Sequence, residues 1–189
     1  MTLFKRLFDL VIAIPIAVLL IVPLLFIAIC IKINSRGPIL YWSDRVGRDN
    51  QLFSMPKLRS MQIGTPAVAT HLLDNPDRYL TSVGKVLRRT SLDELPQIWS
   101  ILKGDMSFVG PRPALFNQDD LIQLRTERGI HQLAPGLTGW AQINGRDEIS
   151  MLEKVNLDEE YLKRQSLLLD TQILWLTFIG VLSRDGISH

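Results

Sequence analysis

The chain has a single cysteine, Cys30, in 189 residues, so no disulfide can form within it. That thiol sits inside an apolar run, which suits a reducing compartment. Histidine is nearly as scarce: His71, His131 and His189 are the three, and none pairs with another at metal-ligand spacing. His131 is read as structural. Charge is balanced, 21 lysines and arginines against 19 aspartates and glutamates for a net +2, too small an excess to indicate nucleic-acid binding. There is neither G-x-G-x-x-G nor a Walker pattern, so neither nucleotide fold is indicated. The sequence has no repeat and no low-complexity tract.

What it does have is one long apolar run. Leu10 to Ile31 carries no charged residue, enough to cover the roughly 20 positions that cross a bilayer core. The run exceeds the apolar region of a signal peptide (about 7–15 residues), and Lys32, Asn34 and Arg36 follow where a cleavage site would stand. Pro15 and Pro23 each remove one helical donor, which membrane helices tolerate. Lys5 and Arg6 precede the run, Lys32 and Arg36 follow it, so positive charge marks neither end as inside. A spanning helix and a re-entrant one satisfy this pattern equally. A second apolar stretch, Thr171 to Leu182, is too short to span. It suits the membrane interface, with Trp175 at the headgroups, or a core helix.

Short elements fill the remainder. Ile39–Trp42 and Gln51–Met55 read as strands joined by the polar turn 44–50, and Met106–Val109 as a third strand. Helices are expected over Val83–Arg89, from the region of Asp93 to Lys103 with Gly104 as the stop, over Asn117–Arg128 and over Met151–Arg164. Lys57 and Arg59 would share one face of an extended chain, a good arrangement for phosphate oxygens. Pro111 and Pro113 fix the backbone on both sides of Arg112, which suits bidentate contact with a phosphate. In Pro135–Arg146, three glycines permit close approach of backbone to a ligand, and Thr138, Gln142, Asn144 and Arg146 supply hydrogen-bonding groups.

The stretch Arg88–Gln97 carries the adjacent carboxylates Asp93 and Glu94. Ser91 and Glu94 have capping-box spacing. Alternatively Asp93 is the cap, which puts Pro96 in the first turn where no donor is missed. Either way the carboxylates lie at the positive end of a helix dipole. Neighbouring helical residues diverge by about 100°, so these two are not parallel and, if both do chemistry, do different jobs. A carboxylate among cations on an anchored domain suits attack on the phosphoryl centre of a lipid-linked substrate, with metal and arginines offsetting anion repulsion.

Taken together the segments resemble the bacterial sugar transferase family, the monotopic polyprenyl-phosphate phosphoglycosyl transferases. The resemblance rests on Lys57-Leu58-Arg59-Ser60-Met61, Ser91 through Gln97, Lys103 through Pro113, and Pro135 through Trp140 with Gly145-Arg146, in the family's order over almost the whole chain. It implies an α/β protein, mostly helical with short strands. Residues 1–36 would form a re-entrant membrane helix-break-helix with its break near Pro23, and residues 37–189 a small cytoplasmic catalytic domain with interface helices. The family's break commonly reads Ser-Pro; here it is Val22-Pro23, without the hydroxyl, and Pro15 adds a second site for a kink.

The implied reaction moves sugar-1-phosphate from a UDP-sugar to undecaprenyl phosphate and releases UMP. Asp93 falls at the family's nucleophile position, forming an aspartyl-phosphosugar intermediate, with Glu94 beside it. Mg2+ is the implied cofactor, at Asp93 and Glu94. Lys57, Arg59, Arg88, Arg112 and Arg146 are the implied substrate-binding residues. The implied setting is the cytoplasmic face of the bacterial inner membrane, in contact with membrane lipids, at the first membrane step of a polysaccharide or glycoprotein pathway. Nucleic acid is not an expected partner, and a homodimer is left open. Two other classes compete: a non-catalytic module that binds anionic lipid through Lys5, Arg6, Lys32 and Arg36, and a metal-dependent nucleotide-sugar hydrolase using the same carboxylates.

Overall fold

The computed structural model describes residues 2–66, 74–145 and 149–182; Arg146, His71 and His189 lie outside them. Thr2 Oγ1 accepts from the Lys5 N–H at 3.3 Å and starts helix α1, Leu3–Asn34. At 1.5 Å per residue α1 is about 48 Å long. It continues through Pro15 and Pro23, so the expected break near Pro23 is not an interruption of the helix; each proline withdraws one donor and the turns on either side carry on. Among the described residues it is the one helix long and apolar enough to cross a membrane.

Both ends of α1 are fastened to the same domain. Near its start, Lys5 Nζ donates to Asp170 Oδ2 at 2.6 Å, and Tyr161 Oη donates to Asp170 Oδ1 at 2.6 Å. Arg6 donates to the carbonyls of Ile101 and Leu102. Asp9 Oδ1 accepts from Ser107 Oγ at 3.0 Å and from the Phe108 N–H at 3.2 Å. At the far end, Ile31 packs with Leu58 and Leu87. There the Arg59 guanidinium donates to the carbonyls of Ser35 (2.9 Å) and Arg36 (2.6 Å) and to Ser35 Oγ (2.7 Å). A helix held at both ends lies along the domain. Its opposite face exposes Val11, Ile14, Val18, Leu19, Val22, Leu25, Phe26 and Ile29, an apolar stripe far longer than monomeric soluble proteins leave in water.

Strands β1 (Leu40–Val46) and β2 (Leu52–Leu58) form an antiparallel hairpin in which Tyr41 faces Lys57, Ser43 faces Met55 and Arg45 faces Phe53. The turn between them places Asp49 and Asn50 in the left-handed region, which asparagine and aspartate tolerate. Helix α2 (Ser82–Arg89) is capped by Thr81, whose Oγ1 accepts from the Gly84 N–H at 2.9 Å. Then follow α3 (Ile98–Lys103), β3 (Ser107–Val109), α4 (Asp119–Glu127), β4 (Gly136–Thr138), α5 (Trp140–Asn144), α6 (Met151–Arg164) and α7 (Leu167–Leu182). Strand β4, which the sequence pattern does not announce, pairs in parallel with β3.

The main core joins Ala13 of α1, Met55 of β2, Ile98 and Ile101 of α3, Met106, Phe108 and Val109, Tyr161 of α6, and Leu169 and Ile173 of α7. On its outer side α7 exposes Leu168, Trp175, Phe178 and Val181, a second exposed apolar face. At about 24 Å this helix is shorter than a bilayer core.

The Lys5–Asp170 pair is almost fully buried, 5% and 1% exposed at the side chains. Asp170→Asn strands a buried ammonium and should cost about 3–5 kcal/mol, whereas the double replacement Lys5→Met/Asp170→Leu should recover most of it. Thermal unfolding of the detergent-solubilised chain checks this. A single variant as stable as the parent would show that the pair does not hold α1 down.

Candidate active site

The carboxylates stand on a 3-10 turn, Leu92–Gln97, entered through Ser91 at φ 56°. Neither capping arrangement expected from the sequence forms. Ser91 contributes its carbonyl, which accepts from the Glu94 N–H at 3.2 Å, and its side chain caps nothing. The Glu94 side chain turns outward to cations instead, because two charge-assisted bonds outweigh one bond back to a backbone N–H. Pro96 fits inside the tight turn, α3 continues from Ile98, and Gly104 ends it at φ 102° as expected. The turn packs against β2, which sets its carboxylates beside Lys57.

Glu94 Oε1 accepts from Lys57 Nζ at 2.8 Å and from Arg112 Nη2 at 2.9 Å. Burial works against the ionised Glu94, but the charges of Arg112 and Lys57 and the bonds they donate outweigh it and hold the carboxyl far below its usual range. Asp93 has the opposite balance. It is 7% exposed, and no ion pair at contact distance joins it to another described residue. Burial raises its pKa, the neighbouring Glu94 adds to the rise, and Lys57 and Arg88 only partly counter it. Lys57 in turn is lowered by burial and by Arg112, against the pull of Glu94.

The residues expected at the site are not all gathered there. Arg88 donates through Nε to Ser60 Oγ at 3.2 Å and lies near enough to bias Asp93. Arg59 does not join the cluster. Its guanidinium caps the end of α1, 6% exposed, because β2 ends at Leu58 and the two-residue alternation that would align it with Lys57 stops there. Arg146 lies outside the described residues.

The sequence reading also missed a cation. Arg45 is on the same face of the hairpin as Lys57. Its Nε donates to Ser43 Oγ at 3.1 Å and its Nη1 to the Pro113 carbonyl at 3.2 Å, which places it beside Arg112. Burial, with Arg112 adding, pushes its pKa down to about 10, and it forms no ion pair among the described residues. The signal was available in the alternation Tyr41, Ser43, Arg45, but only once the hairpin register is known.

Two of the three glycines of Pro135–Gly145 serve the backbone of the protein itself. A Cβ on Gly136 would sit 2.1 Å from the Gly110 nitrogen and one on Gly139 2.1 Å from the Gly110 oxygen, so both permit the close seating of β4 on the chain beyond β3. Of the polar groups there, Thr138 Oγ1 meets Thr177 Oγ1 at 2.7 Å and Asn144 Nδ2 donates to the Trp140 carbonyl at 2.8 Å. The Gln142 amide has no partner among the described residues.

Among the described residues no three acidic, histidine or cysteine side chains form a metal cage. Mg2+ is usually held by one or two carboxylates together with substrate phosphates. The Asp93 carboxylate, in no ion pair among the described residues, fits that mode, and Glu94 could add its second oxygen.

The sequence matches the family described as bacterial sugar transferase over residues 1–184. It is 40% identical over 187 residues to the uncharacterized sugar transferase EpsL of Bacillus subtilis, covering 98% of this chain and 90% of that one. It is 42% identical over 183 residues to the UDP-glucose:undecaprenyl-phosphate glucose-1-phosphate transferase of Escherichia coli, covering 93% of this chain and 39% of that one. A third relative, the undecaprenyl-phosphate galactose phosphotransferase of Salmonella typhimurium, is 39% identical over 199 residues, covering 96% of this chain and 41% of that one. The chain thus spans less than half the length of the last two. Since the match takes in α1, the Asp93-Glu94 turn and the Arg112 segment alike, the chain belongs to the bacterial sugar transferase family.

Proposed function

We propose that the protein transfers sugar-1-phosphate from a UDP-sugar to undecaprenyl phosphate, with Asp93 as the nucleophile. The observation that carries this is the unlike state of two adjacent carboxylates. Glu94 is neutralised by Lys57 and Arg112, while Asp93 is buried with no cation at contact distance among the described residues. Environments that push neighbouring carboxyls apart mark divided roles. An Asp93 oxygen attacks the β-phosphorus of the donor; the bond from that phosphorus to the bridging oxygen breaks, and UMP leaves with the electron pair. Asp93 then carries the phosphosugar as a mixed acyl phosphate. An oxygen of undecaprenyl phosphate attacks the same phosphorus, the aspartyl O–P bond breaks, and the carboxylate is restored.

Lys57, Arg88, Arg112 and Arg45 lower the repulsion between the attacking carboxylate and the diphosphate. A Mg2+ ion held by Asp93, Glu94 and substrate phosphates would supply further charge neutralisation there. The relatives named for glucose and galactose transfer make UDP-glucose and UDP-galactose the first donors to test. The exposed faces of α1 and α7 support a seat in one leaflet of the bacterial inner membrane with both ends of α1 on the cytoplasmic side. There a polyprenyl phosphate reaches the turn from the lipid, and the product opens a membrane-bound glycan pathway.

Donor labelled in the β-phosphate should leave its label on the wild-type chain and none on Asp93→Asn, whose UMP release should fall at least about a thousandfold. A wild type unlabelled by every donor, or a variant labelled equally, removes the reading.

Stability carries an independent prediction. Burial makes Asp93 keep its proton to higher pH when folded than the ordinary aspartate value of 3.8, so its charge costs stability above that pH. Asp93→Asn should therefore raise the melting temperature at pH 7 and change little below pH 3.8. Glu94 is held below the ordinary glutamate value of 4.5, so its contribution is present above that pH and fades in acid. Glu94→Gln should cost about 3 kcal/mol at neutral pH, with the loss shrinking as pH falls. Melting curves for both variants across pH check the opposite signs.

For topology, with Cys30 replaced by serine, a cysteine placed at Thr2 should react with an impermeant thiol reagent only from the cytoplasmic side. Labelling from the periplasm would indicate a spanning helix.

A further inference from the structure

Resting on the reading of Arg112 as a contact to the substrate diphosphate, we propose that the buried pair Arg125–Asp158 is the positioning device for that residue. Arg125 stands on α4 and Asp158 on α6, and no hydrogen bond among the described residues joins either to Asp93 or Glu94. Arg125 donates through Nε and Nη2 to Asp158 Oδ2, at 3.0 and 2.6 Å. The remaining corner of the same plane, Nη1, donates to the Arg112 carbonyl at 2.8 Å. Arg125 is 8% exposed and Asp158 2%.

A guanidinium is planar and rigid, so fixing one edge on Asp158 also fixes the direction of the third donor. The charge of Asp158 cancels that of Arg125, and the clamp therefore grips the backbone of Arg112 without adding an uncompensated cation beside it. The flanking residues show why the carbonyl is the handle. Pro111 and Pro113 have no N–H to offer, and three consecutive carbonyls each take one donor from a different part of the fold. Pro111 accepts from the Gly136 N–H at 2.9 Å, Arg112 from Arg125, and Pro113 from Arg45 at 3.2 Å. Arg125 thus aims the one side chain in this strap that reaches Glu94.

Titration of the full chain in nanodiscs with UDP, together with melting curves, tests the clamp. Arg125→Lys keeps a cation against Asp158 but cannot reproduce the three-point fork; it should melt near the parent and bind UDP about tenfold more weakly. Arg112→Ala should weaken UDP as well, and the two changes together should be no worse than Arg112→Ala alone. Arg125→Met/Asp158→Leu replaces the buried pair by apolar side chains, a change folds commonly accept, and should show the same loss and the same non-additivity. Should either variant fail to fold, the other decides. Unchanged UDP affinity in a folded variant, or losses that multiply with that of Arg112→Ala, would overturn the proposal, as would a wild type that binds no UDP. A wild type that binds UDP yet releases no UMP from any UDP-sugar would retire the transferase reading and leave the clamp standing.

Discussion

Glu94 Oε1 is where three distant parts of the chain meet. Lys57 comes from the hairpin, Arg112 from the proline-flanked strap after β3, and Glu94 from the turn between α2 and α3. At 20% side-chain exposure the carboxylate is screened little by solvent, so two cations at hydrogen-bond distance hold it ionised and hold one another close. Without that anion Lys57 and Arg112 would repel one another, and the turn would lose the contact that aims it. Glu94 therefore works as the keystone of the cluster. Its commitment sets it apart from its neighbour, Asp93, which has no ion pair at contact distance among the described residues, and the chemistry proposed for this family member depends on that division.

The membrane-facing parts are built on a similar economy of buried charge. Lys5, Arg6 and Asp9 sit in the first turns of a helix whose long middle is apolar, where charge would be expensive in lipid. All three turn into the domain and find partners there. Lys5 and Arg6 are thus structural ties, which takes from the anionic-lipid reading two of its four cations. Arg59 does the same at the other end, donating to the Ser35 and Arg36 carbonyls just past the last turn. With both ends anchored, α1 exposes one long apolar side, and α7 exposes a shorter one.

How much of this was legible in the sequence depended on whether the signal was local. Met151–Arg164 was bounded by its own residues, because Ser150 and Glu153 form a reciprocal cap and the amphipathic pattern follows directly. The acidic pair, Lys57 and Arg112 were visible as residue types in short motifs, and the structure brings them together. Arg59 was misplaced since alternation was carried one residue past the end of its strand. Arg45 sat in a run that looked like a polar turn, and β4 is three residues long with its partner β3 far away in sequence. Arg125 and Asp158 belong to two helices that the sequence places but does not bring together. Only the packing of α4 on α6 turns that pair inward.

The glycines show why motif and mechanism must be separated. Three glycines in a short polar stretch suggest backbone approaching a ligand, and the stretch does lie close to the site. Yet Gly136 and Gly139 are needed because the backbone at Gly110 passes within van der Waals distance, and any Cβ would push β4 away from β3. That spacing governs the direction of Gly110-Pro111-Arg112-Pro113, since the Gly110 N–H donates to the Thr138 carbonyl and the Gly136 N–H to that of Pro111. The glycine segment thus bears on phosphate chemistry at one remove, through the strap it seats. A substitution there would be felt first as a displaced arginine and only afterwards as a lost contact to substrate.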